Sequence, residues 1–256
     1  MKSLWGNAYE DPAVVAFYSR HELQPPEAYI LEQQRSFLSR ARMLDLGVGA
    51  GRTTHHFAPA VKEYTGVDYS KSMVAKCREL FAEKYQFEWL DARTLKVFPA
   101  ERFEFVLFSF NGLDIFNNPV RTEIMREIYR LLSPGGRFCF SAHNLRALPH
   151  ILERQSAGGI LAKAKGRLKN GLQMILNPPL SRMLQAESVM VHDGTHAFRV
   201  RNFYIKPEVD WRTLENLGFT EITAYRLTDG QPFPSKGTLT KAEDPWVYFT
   251  AQKPTV

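Results

Sequence analysis

Short apolar runs alternate with helix-like segments between Arg42 and Asn144. The apolar runs are mostly bounded by Gly, Asp or Asn, which is typical of buried strands, and they read ARMLDLGVG, EYTGVD, FEWLDA, FEFVLFSF and GRFCFSAHN. Helix-like segments such as SKSMVAKCRELFAEKY and NPVRTEIMREIYRLL lie between them. Strands that alternate with helices form βαβ units. The pattern therefore predicts an α/β fold with a doubly wound, mostly parallel sheet covered on both faces.

The pattern changes on both sides of this region. Two helices, PAVVAFYSR and PPEAYILEQQRSFL, are predicted before the first strand. Residues 146–185 look helical but are interrupted by glycines and prolines, and ESVMV and HAFRVRNFYI flank an Asp193-Gly194 turn as in a β-hairpin. A last helix, PEVDWRTLENL, precedes two closing strands, TEITAYRL and WVYFTAQK.

These changes of pattern predict a single domain with four parts. We expect an N-terminal helical lid over residues 1–40 and an α/β core that binds the ligand over residues 41–144. A helical and hairpin insertion follows the fifth strand over residues 145–204, and a C-terminal helix with the closing strands occupies residues 205–256.

Composition indicates an ordinary globular protein. The 256 residues are 44% hydrophobic and 23% charged, with a mean hydropathy of −0.30, and a chain of this length needs no disulfide or metal to hold a core. The two cysteines, Cys77 and Cys139, form no CxxC pair, which excludes a disulfide scaffold and a zinc ribbon. Because no apolar run approaches the ~18 residues of a membrane span and MKSLWGNAYED lacks the apolar stretch of a secretory signal, we expect a cytoplasmic protein.

The net charge of +6 is concentrated in the insertion. Residues 145–204 contain nine Lys or Arg and three acidic residues, whereas the rest of the chain carries 24 of each sign. We expect this basic cover to face an anionic acceptor or docking surface. Three alternatives stay open, namely a solvated helix face, a bound RNA and an anionic membrane surface.

A glycine-rich turn lies in MLDLGVGAGRTT, residues Met43 to Thr54. Glycines are needed where a ligand lies against the backbone, and a following helix N-terminus favours an anionic group. A nicotinamide or flavin dehydrogenase would have a third glycine at position 52, where this chain has Arg52. The chain also lacks the GxxxxGK[ST] phosphate loop of a nucleotide triphosphatase.

Polar residues follow the other predicted strands. Asp68 ends the second strand, 17 residues after Gly51, where a carboxylate can accept hydrogen bonds from ribose hydroxyls. Asp91 ends the third strand, Ser109 to Gly112 the fourth, and Ser141 to Asn144 the fifth. Because ligands of open α/β sheets bind at the carboxyl ends of the strands, we expect these residues to share one crevice.

Taken together, these motifs closely resemble those of the class I S-adenosylmethionine-dependent methyltransferases. The matching pieces are LDLGVGAGRTT, GVDYS, LDA, FNGLD and EIYRLLSPGGRF. The resemblance covers Met43 to Asn144 well and Lys206 to Lys253 more loosely. It implies a seven-stranded sheet in the order 3-2-1-4-5-7-6 with the last strand antiparallel. It also implies S-adenosylmethionine as methyl donor, S-adenosylhomocysteine as product, and no metal.

The resemblance further implies a set of cofactor-binding residues. These are Asp45, Gly47, Val48, Gly49, Gly51, Asp68, Tyr69, Met73, Asp91, Ala92, Ser109 and Phe110. Asp45 and the glycine turn would hold the methionyl end, and Asp68 the ribose hydroxyls, with Tyr69 and Met73 beside the adenine. Asp91 would accept from the adenine amino group, the Ala92 backbone would meet the ring edge, and Ser109 and Phe110 would lie near the transferable methyl.

Purely structural roles stay open for the three carboxylates of this set. Asp45 could be buried and paired within the fold. Asp68 could cap the following helix, although Ser70 can also do that. Asp91 could be a turn residue, since aspartates are common in turns.

Acceptor-side residues are predicted at the same crevice. His143 ends the fifth strand and is the candidate general base, with a structural histidine as the alternative. Tyr9 and Tyr18, with Trp5, could form a lid or pack in the core. Further candidate acceptor contacts are Asn111, Arg199 and Arg201. His192 and His196 have the i, i+4 spacing of helical metal ligands, but Asp193-Gly194 between them indicates a turn.

The sequence thus predicts a methyltransferase that acts on an O or N atom of an anionic small molecule. In-line transfer requires the protein to align two reactants and exclude water. Methylation of RNA or another macromolecule is an alternative, although the chain contains no recognisable nucleic-acid module. A cofactor-binding protein without transferase activity is a second alternative. The oligomeric state is left open.

Overall fold

The computed structural model describes residues 8–154 and 171–255, which form an α/β domain around one sheet. Its strands are β1 Arg42–Leu46, β2 Glu63–Asp68, β3 Gln86–Trp89, β4 Phe103–Phe108, β5 Leu132–Asn144, β6 Ser188–Val191, β7 Asn202–Ile205, β8 Thr220–Arg226 and β9 Trp246–Gln252. The predicted α/β class is confirmed.

The strand order also agrees with the prediction. Strands β3, β2, β1, β4 and β5 are parallel neighbours in that order. β9 runs antiparallel to β5, and β8 pairs antiparallel with β9. With β8 and β9 as the sixth and seventh strands of the family pattern, the order is 3-2-1-4-5-7-6 with the last strand antiparallel.

The insertion adds two strands to this sheet. β6 and β7 form the predicted antiparallel hairpin, and β7 pairs in parallel with the end of β5, placing His143 opposite Tyr204. The second hairpin strand is shorter than predicted. His196, Ala197 and Phe198 have φ values of 48°, 55° and 64°, a left-handed conformation that no strand adopts, so β7 begins at Asn202.

Helices cover both faces of the sheet. They are α1 Pro12–Tyr18, α2 Pro25–Gln33, α3 Arg35–Leu38, α4 Thr54–Phe57, α5 Lys71–Phe81, α6 Asn118–Leu131, α7 Leu148–Arg154, α8 Leu180–Gln185 and α9 Pro207–Asn216. Residues 171–176 are also helical. Single turns of 3₁₀ helix occur at Ala8–Glu10, Ala58–Ala60, Ala82–Lys84, Gly112–Ile115, Leu145–Ala147 and Thr195–Phe198, and longer ones at Ala92–Val97 and Lys236–Lys241.

Among the helices with bounds given above, the two longest begin at side-chain caps. The Ser70 hydroxyl accepts from the Met73 amide at α5, and the Asn117 side chain accepts from the Val120 amide at α6. Such caps satisfy amide groups that the first turn of a helix leaves without partners. In the described ranges, no helix is long and apolar enough to cross a membrane.

Alternate residues of the central strands enter two apolar layers. Val106 and Phe108 of β4 pack on one face of the sheet, whereas Phe105 and Leu107 pack on the other. Fully burying such a side chain contributes about 1.5–3 kcal/mol. The two layers leave the carboxyl ends of the strands free to form a site at the sheet edge.

Candidate active site

A cavity of about 380 Å³ lies at the carboxyl ends of β1, β2 and β4. Most of the predicted site residues line it, namely Asp45, Gly47, Val48, Gly49, Asp68, Tyr69, Met73, Asp91, Ala92, Ser109, Phe110, Tyr9, Tyr18, Asn111 and His143. Gly51, Arg199 and Arg201 are absent from this lining. The sheet thus brings residues from both ends of the chain to one crevice, as the parallel topology predicts.

The glycine-rich turn after β1 needs its glycines for two different reasons. Gly47, Gly49 and Gly51 all have positive φ, at 63°, 57° and 91°. The Gly49 amide donates to Asp68 Oδ2 at 2.9 Å, which fixes the turn against the end of β2. A Cβ at Gly51 would come within 2.5 Å of the Phe81 ring, so this glycine permits close packing on α5. Gly51 is absent from the cavity lining, and its contact with the cofactor stays a prediction.

Asp68 supports the glycine turn and faces the cavity at the same time. Its two carboxylate oxygens accept from the amides of Gly49, at 2.9 Å, and Ser70, at 2.8 Å. Ser70, not Asp68, caps α5. Burial raises the pKa of Asp68 to about 6. Each carboxylate oxygen has a second lone pair, so Asp68 can also accept from a bound diol.

Asp45 is paired inside the fold, as the structural alternative proposed. Its Oδ2 accepts from the hydroxyls of Thr53, at 2.6 Å, and Tyr64, at 2.7 Å. Burial raises the pKa of Asp45 to about 6 despite these hydrogen bonds. Asp45 nevertheless lines the cavity, and its carboxylate contributes negative charge there.

Asp91 lies two residues beyond β3 and begins the 3₁₀ helix Ala92–Val97. It accepts from the Arg93 amide at 2.9 Å and forms an ion pair with the Arg93 guanidinium at 2.5 Å. Burial opposes ionisation, but the hydrogen bonds from Arg93 outweigh it and lower the pKa of Asp91. Asp91 is therefore a turn residue that also lines the cavity as an ionised carboxylate.

His143 is hydrogen bonded through both ring nitrogens. Its Nδ1 lies 2.9 Å from Asp114 Oδ2, and its Nε2 lies 3.2 Å from the Asn111 amide nitrogen. Because the carboxylate can only accept and the amide nitrogen can only donate, the network assigns the ring proton to Nδ1 and leaves Nε2 as an acceptor. This is the tautomer that a general base at the cavity requires.

Asp114 is a candidate functional residue that the sequence did not indicate. It is fully buried, accepts from the His143 amide at 2.6 Å, and pairs with Arg121 at 3.3 Å. Arg121 is also fully buried and pairs with Asp210 of α9. Asp114 is the last residue of the FNGLD motif, so the signal was present. Its partner, however, lies 29 residues away and is visible only in the fold.

The N-terminal segment contacts the rim of the cavity. Tyr9 packs against Tyr69, His196 and Tyr18, at ring-centroid distances of 5.8, 4.8 and 6.1 Å. The Ser70 hydroxyl donates to the Tyr9 carbonyl at 3.0 Å. Residues 8–18 thus occupy the place expected of a lid, while Trp5 lies outside the described residues.

The two arginines predicted to contact the acceptor lie elsewhere. Arg199 is exposed and its guanidinium lies 3.7 Å from Asp11, while Arg201 is also exposed. The lysines of the insertion, at 163, 165 and 169, fall outside the described residues. Within residues 8–154 and 171–255, no group of three or more His, Cys, Asp or Glu side chains could hold a metal ion.

Comparison with known proteins places this site in a family. Residues 43–136 match a family model described as a methyltransferase domain. In these residues the chain carries a methyltransferase domain. The resemblance noted in the sequence is thereby confirmed, and the predicted cofactor is the one this class uses.

Individual relatives match the methyltransferase domain at low identity. The "Uncharacterized methyltransferase YcgJ" of Bacillus subtilis is 34% identical over 106 residues, which span 40% of this chain and 40% of that protein. A Burkholderia thailandensis 1,6-didemethyltoxoflavin-N1-methyltransferase, solved with 1,6-didemethyltoxoflavin and S-adenosylhomocysteine, has a TM-score of 0.58 at 18% identity and covers 97% of this chain and 84% of its own.

A Mesorhizobium loti S-adenosylmethionine-dependent methyltransferase has a TM-score of 0.60 at 18% identity, covering 88% of this chain and 97% of its own. Both structural likenesses concern the fold. The methyltransferase domain of this chain shares the architecture, and its acceptor site has to be inferred from its own residues.

Proposed function

We propose that this chain transfers the methyl group of S-adenosylmethionine to an O or N atom of a small-molecule acceptor. The observation that carries the proposal is the shared cavity. It joins the glycine turn and Asp68 on one side to the His143 and Asp114 pair on the other. This reaction needs the methyl donor and the acceptor aligned within one enclosed space, and an O-acceptor also needs a group that takes its proton.

The residues of the cavity suit the cofactor. Asp45 and Asp68 are buried carboxylates, both with a pKa raised to about 6 by burial, and the cationic cofactor would stabilise their ionised forms. The Tyr69 hydroxyl is buried without a hydrogen-bond partner in the described part of the chain. When bound, S-adenosylmethionine would supply an electrophilic methyl group on a sulfonium, and transfer of that methyl to the acceptor would release S-adenosylhomocysteine.

The chain's own residues then act on the acceptor. When the acceptor N–H or O–H displaces the Asn111 amide from the lone pair of His143 Nε2, this nitrogen takes the proton that the acceptor loses as its nucleophilic atom bonds to the methyl carbon. Asp114 holds the imidazole in the required tautomer and stabilises the imidazolium that forms. General-base catalysis of this kind contributes about 10²–10⁴-fold to rate. Closure of the crevice by residues 8–18 would exclude water from the reacting atoms.

The size of the cavity supports a small molecule as the acceptor. A cavity of about 380 Å³ suits a cofactor together with a small acceptor, or with one protruding group of a larger acceptor, and we favour the small molecule. The Burkholderia neighbour likewise holds a small acceptor beside its cofactor product.

Both cysteines, Cys77 and Cys139, are buried free thiols, which suits the reducing cytoplasm that we propose as the location of this protein.

The test is incubation of the purified chain with methyl-labelled S-adenosylmethionine, with a metabolite extract and with RNA in separate reactions. We expect label in the metabolite fraction only. The His143→Gln variant should retain S-adenosylhomocysteine binding and lose transfer. Label in RNA would establish the macromolecular alternative. Cofactor binding with no transfer to either fraction would support a non-catalytic cofactor-binding protein.

A further inference from the structure

We propose that the acceptor is a neutral, planar heteroaromatic molecule that presents one hydrogen-bond donor and one acceptor. The inference rests on the proposed function and concerns the subsite around Asn111, His143 and Trp246. All three residues line the cavity beside the proposed general base.

The sheet register builds an aromatic wall next to the base. β9 pairs with β5 so that Trp246 lies opposite His143, and their ring centroids are 5.9 Å apart. The Trp246 ring also lies 5.0 Å from that of Phe110, which follows β4. Tyr18 of α1 contacts Phe110 as well, at 5.9 Å. Rings on several sides of a cavity favour a flat, aromatic ligand.

Two polar atoms of this subsite are buried without hydrogen-bond partners among the described residues. Asn111 Oδ1 and Trp246 Nε1 form no hydrogen bond with any residue in the described ranges. The side-chain nitrogen of Asn111 donates to His143 Nε2, and the backbone amide of Asn111 donates to Ser141 Oγ at 2.7 Å. Only Asn111 Oδ1 therefore stays available to accept a hydrogen bond from a ligand. Buried polar groups are almost always satisfied, and a ligand is the simplest partner for these two.

The chemistry of the two atoms specifies the ligand. Asn111 Oδ1 can only accept and the indole Nε1–H can only donate. A ligand that satisfies both must offer one N–H or O–H and one ring nitrogen or carbonyl oxygen. Acceptors whose ring is a plain hydrocarbon, and purely aliphatic acceptors, lack these groups. The residue types thus select a heteroaromatic lactam, enol or related ring.

The charges of the cavity wall select a neutral ligand. Arg52 is the one guanidinium or ammonium group among the described lining residues, and Glu27 engages it through both carboxylate oxygens at 2.6 Å. An anionic acceptor would find no free cation on that described wall. Among the acidic residues of the wall, Asp91 forms an ion pair with Arg93, and Asp45 and Asp68 lie in the half of the cavity proposed for the cofactor. The described wall therefore suits a neutral acceptor better than the anionic one predicted from the basic insertion, whose residues 155–170 lie outside the described ranges.

The test uses three probes that share the quinoline ring and isothermal titration calorimetry on the full chain. S-Adenosylhomocysteine is titrated first, and each probe is then titrated into the complex. The neutral probe is 4-hydroxyquinoline, the anionic probe is 4-hydroxyquinoline-2-carboxylate, and the cationic probe is 4-aminoquinoline. We expect the neutral probe to bind at least tenfold more tightly than either charged one.

The variant Trp246→Phe keeps the aromatic wall and removes the N–H donor. We expect it to weaken the neutral probe at least fivefold without changing S-adenosylhomocysteine affinity. Trp211→Phe, which removes an indole on α9 that is hydrogen bonded to Glu215, should change neither affinity. Tighter binding of a charged probe, no binding of any probe, or an unchanged Trp246→Phe variant would overturn the inference. Failure of S-adenosylhomocysteine itself to bind would overturn the proposed function as well.

Discussion

Arg52 and Glu27 form a buried bidentate ion pair, with both nitrogen-to-oxygen distances at 2.6 Å. Glu27 is fully buried and also accepts from the hydroxyls of Ser109 and Tyr248. One carboxylate therefore ties α2 to the glycine turn, to the end of β4 and to β9. Arg52 occupies the position at which a dehydrogenase motif has glycine, and here its side chain anchors the N-terminal segment over the site.

Removal of this carboxylate should destabilise the whole domain. We expect Glu27→Gln to lower the free energy of unfolding by about 3–5 kcal/mol, because it leaves the Arg52 guanidinium buried without its counter-charge. Urea denaturation measures the change. Glu32→Gln, which breaks the exposed pair with Arg35, serves as the matched control and should cost less than about 1 kcal/mol. Equal effects of the two substitutions would show that burial of the first pair is unimportant.

Gly49→Val should abolish cofactor binding while the fold persists. Gly49 has a φ of 57°, where a non-glycine residue costs about 1–2 kcal/mol, and its amide holds Asp68. We expect S-adenosylhomocysteine affinity to fall more than about tenfold, equivalent to ~1.4 kcal/mol. Gly237→Val, at a position with ordinary φ and an open neighbourhood, is the control. Wild-type affinity in Gly49→Val would refute the role of the turn.

Asp68→Ala should weaken cofactor binding by about 1.5–3 kcal/mol, because it removes charge-assisted hydrogen bonds to the ribose. Asp68→Asn should lose less, since its amide oxygen still accepts. Calorimetry with S-adenosylhomocysteine measures both variants. If both bind normally, Asp68 serves only to hold Gly49 and Ser70.

Cofactor affinity should rise with pH through about 6. Burial raises the pKa of Asp45 and of Asp68 to about 6, so both carboxyls become protonated below that value. Binding favours the ionised forms, which gives about a tenfold loss per group at one pH unit below its pKa. Titrations with S-adenosylmethionine at pH 5, 6, 7 and 8 test this. Asp68→Asn should flatten part of the dependence, and a flat profile in the wild type would contradict the assignment.

Asp114→Asn should impair transfer without impairing cofactor binding. An asparagine amide facing Nδ1 favours the tautomer with the proton on Nε2, which removes the lone pair that accepts the substrate proton. We expect kcat to fall about 10²-fold or more. The defect should shrink at a pH where the acceptor ionises by itself, which a purely structural lesion would not do. Steady-state kinetics across pH, with S-adenosylhomocysteine affinity as reference, separates the two.

The local pattern of this sequence already determined the sheet and half of the site. Alternation of apolar runs with amphipathic segments predicts parallel strands, and residues that follow such strands must meet at one edge. The positions of Gly49 and Asp68 follow from that rule, and the 2.9 Å contact between them is a direct consequence of it. The helix cap at Ser70 was equally local, since its partner is three residues away.

Only the tertiary structure decided the part of the cavity that we propose for the acceptor. Asp114 forms a hydrogen bond with His143, and Trp246 lies opposite His143 in the sheet. Glu27 forms an ion pair with Arg52. Each of these contacts joins distant parts of the chain. Such contacts depend on which strands pair and in what register, which no local pattern encodes. Gly51 makes the same point within the motif itself. Its neighbours in sequence predicted a ligand contact, and only the fold reveals that the ring of Phe81 leaves no room for a Cβ at this position.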